Sequence, residues 1–250
     1  MRVLRIDLEY DGTDFRGFAP QLGARTVGGE LDAVLSRVLG EAVRVMPGAR
    51  TDSGVHACGQ VVSFRTESST PQVQVKKALN ALLGNDVWVR DVAEAAPTFD
   101  ARRSACSRRY RYRIRNSPER NVWERRWSVQ IDGNLDVDAM NEACQPLIGE
   151  HDFAAFRTHR SQDDPERSTV RRVISTEWQR DPNEPAGIRF EIEADAFLRH
   201  MVRAIVGSSI LVGQGKLPTT AVGEMLTAGV RAAAGPTAPA HGLTLLVIKY

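Results

Sequence analysis

The stretch Ala49-Arg50-Thr51-Asp52-Ser53-Gly54-Val55-His56 gathers residue types that could do chemistry: one carboxylate between a guanidinium and an imidazole. Gly54 allows the positive φ of a tight turn, and Thr51 and Ser53 can bond to nearby backbone groups. A carboxylate beside a guanidinium is favoured in its charged form. Such a group suits a nucleophile or an electrostatic stabiliser and suits a general acid poorly. From these eight residues alone, an ordinary loop ion pair between Asp52 and Arg50 is the simpler reading. His56 reads as a loop hydrogen-bonding residue rather than a catalyst.

A second cluster lies between residues 102 and 126, where ten arginines face only two acids, Glu119 and Glu124. Tyr110, Tyr112, Trp123 and Trp127 are interleaved with them or follow closely. A solvated strand face is the usual fate of such a charge run. The preference for arginine over lysine points instead to a polyanion, because the guanidinium fork matches phosphate and aromatic rings stack on bases. A third feature is the pair Arg199 and Arg203, four apart in an apolar helical pattern, where Arg203 reads equally well as a surface charge. Tyr110, by periodicity alone, is better read as a cross-strand packing residue.

The elements that must position these groups follow from hydrophobic spacing. Apolar runs on both sides of Asp52 put it in a loop between strands at 43–47 and 60–65. Residues 3–10 alternate and read as a half-buried strand, closed by Asp11-Gly12-Thr13. Leu31, Val34, Leu35, Val38 and Leu39 mark an amphipathic helix ended by Gly40. Val75, Ala78, Leu79, Leu82 and Leu83 mark a second, which Gly84 can end, and a strand at 87–92 completes a β-α-β-β-α-β order. The same order recurs in a strand at 109–115, a helix near 136–148, strands near 170–179 and 188–195, a helix at 197–212 and a closing strand at 243–249. An extra helix falls near 219–229, residues 158–169 read as a mobile loop, and 181–187 as a hairpin connection. The expected fold is therefore α+β: two ferredoxin-like halves with adjoining antiparallel sheets and a cleft across them. Residues 1–105 form the half that carries the aspartate loop, and 106–250 the half that carries the arginine–aromatic strand.

Composition excludes several classes. The three cysteines are odd in number and far apart, which argues against a disulfide framework or a metal cluster. No signal peptide pattern precedes the first strand and no apolar run is long enough for a bilayer, so a reduced, cytoplasmic setting is expected. The five histidines show no His-Glu-x-x-His, and His56-Ala57-Cys58 lacks the glutamate of a zinc deaminase. Ile210 stands where a phosphate loop ending at Gly215-Lys216 would need glycine, and no Gly-x-Ser-x-Gly elbow is present. No second carboxylate lies close to Asp52, as a glycosidase would want. Pattern alone thus reaches an α+β protein that binds nucleic acid, and no reaction.

Seven stretches in order carry a resemblance that runs nearly end to end: residues 10–18, 48–56 with 59–61, 99–102, 109–112, 151–153, 197–207 and 238–243. In these the chain resembles the tRNA pseudouridine synthase A family. The resemblance implies the pseudouridine synthase fold with a central basic cleft, and isomerisation of uridine to pseudouridine at positions 38 to 40 of the tRNA anticodon stem-loop. It implies no cofactor and no metal, and a homodimer that holds tRNA across both subunits. On this likeness Asp52 matches the catalytic aspartate, and Arg50 the arginine that helps extrude the target nucleotide. Tyr110 matches the tyrosine that lies against the extruded base. Arg203 would pair with Asp52, and Leu243 would line the pocket. Phe18-Ala19 stand where the family usually has Trp-Gln, and Gly28 where glutamine is common, which touches local tRNA contacts rather than chemistry. Two other readings stand beside this one: a non-catalytic tRNA-binding or chaperone protein, and a sibling synthase with another target uridine.

Overall fold

The computed structural model describes residues 1–158 and 168–250. All but the ends of the loop expected at 158–169 therefore lies outside the described residues. The chain is a mixed α+β protein whose strand pairs are mostly antiparallel. It divides into two compact units, Met1–Arg108 with Thr244–Tyr250, and Arg109–Leu243.

The first unit runs β1 (Arg2–Tyr10), α1 (Val27–Leu39), β2 (Met46–Pro47), β3 (His56–Thr66), α2 (Gln72–Leu82) and β4 (Val87–Ala95). Its strands lie in the order β4-β1-β3, with β2 paired to β3. The alternation of β1 buries Leu4, Ile6 and Leu8 completely, opposite Phe64, Val62 and Gln60 of β3. The helices bury one stripe each, Leu31 and Leu35 from α1, Val75 and Leu79 from α2. Thr26 caps α1 by accepting from the Gly29 N–H, and Gly40 ends it at φ 72° as the spacing suggests.

Three expectations for this unit need correction. The strand at 43–47 shrinks to two residues, because side chains of α1 take its N–H groups. Val43 N donates to Ser36 Oγ at 2.9 Å and Val45 N to Asp32 Oδ1 at 2.8 Å. The next strand starts at His56, so the imidazole sits on β3 rather than in the loop. Helix α2 stops at Leu82 with Leu83 extended, one residue before the glycine expected to end it.

The second unit contains β5 (Ser107–Asn116, from Arg109 onward), β6 (Val129–Ile131), α3 (Val137–Cys144), β7 (Gly149–Asp152), β8 (Val170–Asp181), β9 (Glu184–Ala194), α4 (Met201–Gly213) and α5 (Ala221–Ala228). Its strands lie in the order β5-β9-β8-β7, with β6 parallel to β5. Tyr110, Tyr112 and Ile114 of β5 are buried, as the alternation predicts, and Trp178 stacks on Phe190 at 4.7 Å. Helix α3 is shorter than the 136–148 pattern because Pro146 cannot continue it, and a 3-10 turn over Gln145–Leu147 follows. Helix α4 starts at Met201, not at residue 197. His200 has φ 62°, a left-handed conformation that interrupts the helix, so Arg199 lies before it and does not share a helical face with Arg203. Strands β6 and β7 are too short to leave a period in the sequence.

The last strand, β10 (Leu243–Lys249), pairs in parallel with β3, Thr244 beside His56 and Leu245 beside Ala57. Although late in sequence, all of it beyond Leu243 belongs to the first unit. Gly59 allows the approach, since a Cβ there would stand 2.3 Å from the Leu246 carbonyl oxygen. No described helix is long and apolar enough to cross a membrane.

In α4 a Cβ on Gly207 would lie 1.7 Å from the Pro236 carbonyl oxygen. Alanine gains about 1 kcal/mol over glycine in helix propensity, but forced overpacking costs typically 1–3 kcal/mol or more. Gly207→Ala is therefore expected to lower the unfolding free energy in urea titration; a rise would show that the contact does not exist.

Candidate functional site

Asp52 sits partly buried in a loop between β2 and β3, and two chain segments hold that loop from opposite sides. From β3, the Gln60 side chain is fully buried and works as a spare piece of backbone. Its Nε2 donates to Ala49 O at 2.8 Å, and its Oε1 accepts from Ala49 N at 3.3 Å. The same amide donates to the Tyr10 hydroxyl at 3.2 Å, which lies 2.8 Å from Thr51 Oγ1. Burial pushes the Tyr10 phenol up to about 12, so it stays a neutral hydrogen-bonding group at neutral pH. Below the loop, the buried Arg108 guanidinium donates to Gly48 O through Nε at 3.2 Å and Nη2 at 3.0 Å.

The other support is the segment after β1. Phe18 N donates to Thr51 O at 3.1 Å, while Ser53 Oγ and Gly54 N donate to Phe15 O at 3.2 and 3.3 Å. Gly12 N donates to His56 Nδ1 at 3.0 Å, and Asp11 Oδ1 lies 3.1 Å from the same nitrogen. The buried His56 Nδ1 lies between the Gly12 amide and the Asp11 carboxylate and ties strand β3 to the turn after β1. Glycines make the approach possible. A Cβ on Gly12 would stand 2.0 Å from Val55 O, and Gly54 takes φ 77° in the turn closed by Val55 N to Asp52 O at 3.1 Å. The stretches 10–18 and 48–56, apart in sequence, are one interlocked piece of structure.

Arg50 is not where the sequence suggests. Thr51 turns its side chain inward to Tyr10, and Arg50 is exposed. Among the described residues no ion pair joins Arg50 to Asp52.

The remaining candidates lie in the second unit. Tyr110 is buried on β5 with its ring edge-on to Phe197, centroids 5.1 Å apart. Arg203, in the first turn of α4, holds the segment before β10 twice: Nε donates to Ala238 O at 2.7 Å, and its carbonyl accepts from Ala238 N at 3.0 Å. Tyr112 holds the same segment, its hydroxyl donating to Pro239 O at 2.9 Å, and burial pushes that phenol up. Gly242 lets the Tyr112 ring pass, since a Cβ would meet it at 2.7 Å. Leu243 follows and is buried. The run 238–243 is therefore fixed by Arg203 and Tyr112. Among the described residues no group of three or more His, Cys, Asp or Glu side chains could hold a metal ion.

The arginine run divides in two. Arg109 pairs with Glu193 at 2.6 Å and Arg111 with Glu191 at 2.6 Å, both across to β9. Arg115 lies 3.3 Å from Glu124 and 3.1 Å from Glu184. Arg108 is spent on backbone carbonyls and Arg125 Nη1 donates to Val122 O at 2.7 Å; the exposed arginines of the run are Arg102, Arg103, Arg113, Arg120, Arg125 and Arg126. Sequence reasoning missed the parts of Gln60, Tyr10 and Tyr112. The one usable signal is the amide of Gln60 at the head of the mostly apolar run Val61-Val62-Ser63-Phe64.

Comparison with known proteins matches residues 143–250 to a family model described as tRNA pseudouridine synthase. The tRNA pseudouridine synthase A of Geotalea uraniireducens is 39% identical over 250 residues, covering 100% of both chains. That of Brevibacillus brevis is 40% identical over the same full lengths, and that of Chloroflexus aurantiacus 42% identical over 100% of this chain and 89% of its own.

The Gln60 amide is the testable keystone of the loop. Gln60→Leu keeps the bulk and removes every bond, leaving Ala49 without its side-chain partner, and is expected to lower stability by about 1–3 kcal/mol. Denaturant unfolding checks this, and an unchanged midpoint would show that the network is dispensable.

Proposed function

We propose, for a chain that belongs to the tRNA pseudouridine synthase A family and isomerises uridine in tRNA to pseudouridine, that it acts at positions 38 to 40 of the anticodon stem-loop with Asp52 as the catalytic carboxylate. The observation that carries this is the Asp52 loop. A carboxylate left partly accessible on a backbone fixed by Gln60, Phe15, Phe18 and Arg108 is preorganised, so little reorganisation is needed when the substrate arrives. That cost is better met in folding than in each turnover.

In the proposed reaction Asp52 assists cleavage of the C1′–N1 bond, by attack at C1′ or by another path. The detached uracil then rotates, C5 bonds to C1′, C5 loses its proton and N1 gains one, so product and substrate are isomers. The target nucleotide must leave the stack first, at a cost of a few kcal/mol. Arg50, exposed on its loop, is suited to help extrude it and to fill its place. Tyr110 would lie against the base and is a candidate for taking the C5 proton. Arg203 would pair with Asp52, and Leu243 would line the pocket; their fixed attachment to the 238–243 run supports such positioning roles.

The same reading makes residues 1–105 the half with the aspartate loop and 106–250 the half with the arginine–aromatic strand. Both halves would be ferredoxin-like, with a basic cleft for tRNA. It includes a cytoplasmic homodimer and needs no cofactor.

The test is carbodiimide labelling of tRNA after incubation with purified protein, read as reverse-transcription stops. Stops at 38 to 40 are expected with wild type. Asp52→Asn should lower the rate by at least roughly 1,000-fold, the scale of a lost reacting group, while tRNA binding persists. Stops elsewhere would reassign the target, and a fully active Asp52→Asn would remove the aspartate from the mechanism.

A further inference from the structure

The β5–β6 connection, residues 117–128, exposes an unusual surface for a segment so well tied down. Trp123 is 90% exposed, and Arg120, Arg125 and Arg126, close to it in sequence, are exposed too, with Arg125 Nη1 donating to Val122 O at 2.7 Å. Val122 is 64% and Trp127 37% exposed in the same connection, and several exposed apolar side chains together, rimmed by charge, mark an interaction site. This scaffold is ordered by its own bonds. Arg115 reaches Glu124 and the Glu119 carbonyl from β5, Gln130 Nε2 donates to Ser117 O and Pro118 O at 3.0 Å each, and Trp123 N donates to Asn121 Oδ1 at 2.9 Å. At its far end Ser128 shares a hydrogen bond with His241, two residues before Leu243, so the loop is joined to the run fixed by Arg203.

We infer that this connection is a second tRNA-binding element, in which the Trp123 indole stacks on an unpaired base while Arg120 and Arg125 contact neighbouring phosphates. The inference rests on tRNA being the substrate and adds a contact surface to it. Charge decides for RNA over an apolar protein partner. Of the two acids in the loop Glu124 is held by Arg115, which leaves Glu119 as the one other acid beside the exposed Arg120 and Arg125 in sequence. Flat indole with flanking guanidinium is the combination that holds single-stranded bases without reading their sequence. Arg109 and Arg111 of β5 are occupied by Glu193 and Glu191, whereas Arg120 and Arg125 of this loop are exposed.

The experiment compares binding of unmodified tRNA to full-length wild type, Trp123→Ala, Trp123→Phe and the double variant Arg120→Gln/Arg125→Gln, over a range of salt. Trp123→Ala is expected to weaken Kd by about tenfold, as for the loss of one stacked base, and Trp123→Phe to recover most of it. The double variant should lower the slope of log Kd against log salt by about 2. Values of Kd within twofold of wild type for Trp123→Ala, with an unchanged slope for the double variant, would overturn the inference. So would a Trp123→Ala that alters only the sedimentation of the protein, which would mark the loop as a contact between copies of the chain. If wild type binds with this dependence yet makes no pseudouridine, the proposed reaction fails and this inference stands.

Discussion

One buried side chain constrains the candidate site more than any other: the carboxamide of Gln60, which has no exposed surface and lies in an apolar strand. An amide moved from water to such a place costs roughly 2–7 kcal/mol if left without partners. Only a loop that brings the Ala49 amide and carbonyl to it, and a tyrosine that brings its hydroxyl, removes that cost. The net gain per bond is only about 1 kcal/mol. The network therefore contributes less to stability than to uniqueness: it selects one path for residues 48–55 among the many a turn of that length could take. Tyr10, Thr51 and Gly12 then fix where that path meets β1, and Asp52 inherits its position from them.

The second unit uses a related device with different chemistry. Arg203 binds both polar groups of the Ala238 backbone, one with its side chain and one with its own carbonyl, as a neighbouring strand would. Tyr112 adds a bond one residue on. The run before β10, whose one regular piece is a 3-10 turn over Ala240–Gly242, is thus tied at two successive residues. Each unit has an irregular stretch of chain to hold in one position. In both units polar side chains standing in for backbone do this, because backbone ladders alone would leave the loops free.

Periodicity disclosed whatever depended on near neighbours. The alternation of β1 and β5, the stripe of α1 and its Gly40 cap were all legible, because each follows from residues two to four apart. What depended on distant partners was not. The glutamates that occupy Arg109 and Arg111 stand some eighty residues away, so the arginine run reads in sequence as more available cation than the folded chain leaves exposed. The Asp52–Arg50 pair, natural by proximity in sequence, is not found among the described residues. The start of α4 was misjudged because the apolar spacing continues through 197–200, while the chain takes a left-handed turn at His200 that spacing does not encode. The glycines at 12, 59 and 242 are motif positions in sequence. Their reason, backbone or ring passing where a Cβ would sit, exists only in three dimensions.

The central claim is that the Asp52 loop is already fixed in the free protein. Amide hydrogen exchange followed residue by residue tests it without substrate, at the Gly12, Phe18, Ala49 and Val55 amides, each of which has a named acceptor, and at Gly48, whose N–H donates to Val61 O at 2.8 Å. Protection of these amides comparable to that of β3 is the expected result. Exchange at the rate of an open loop, while β3 stays protected, would contradict the account and make the loop's order a consequence of binding RNA.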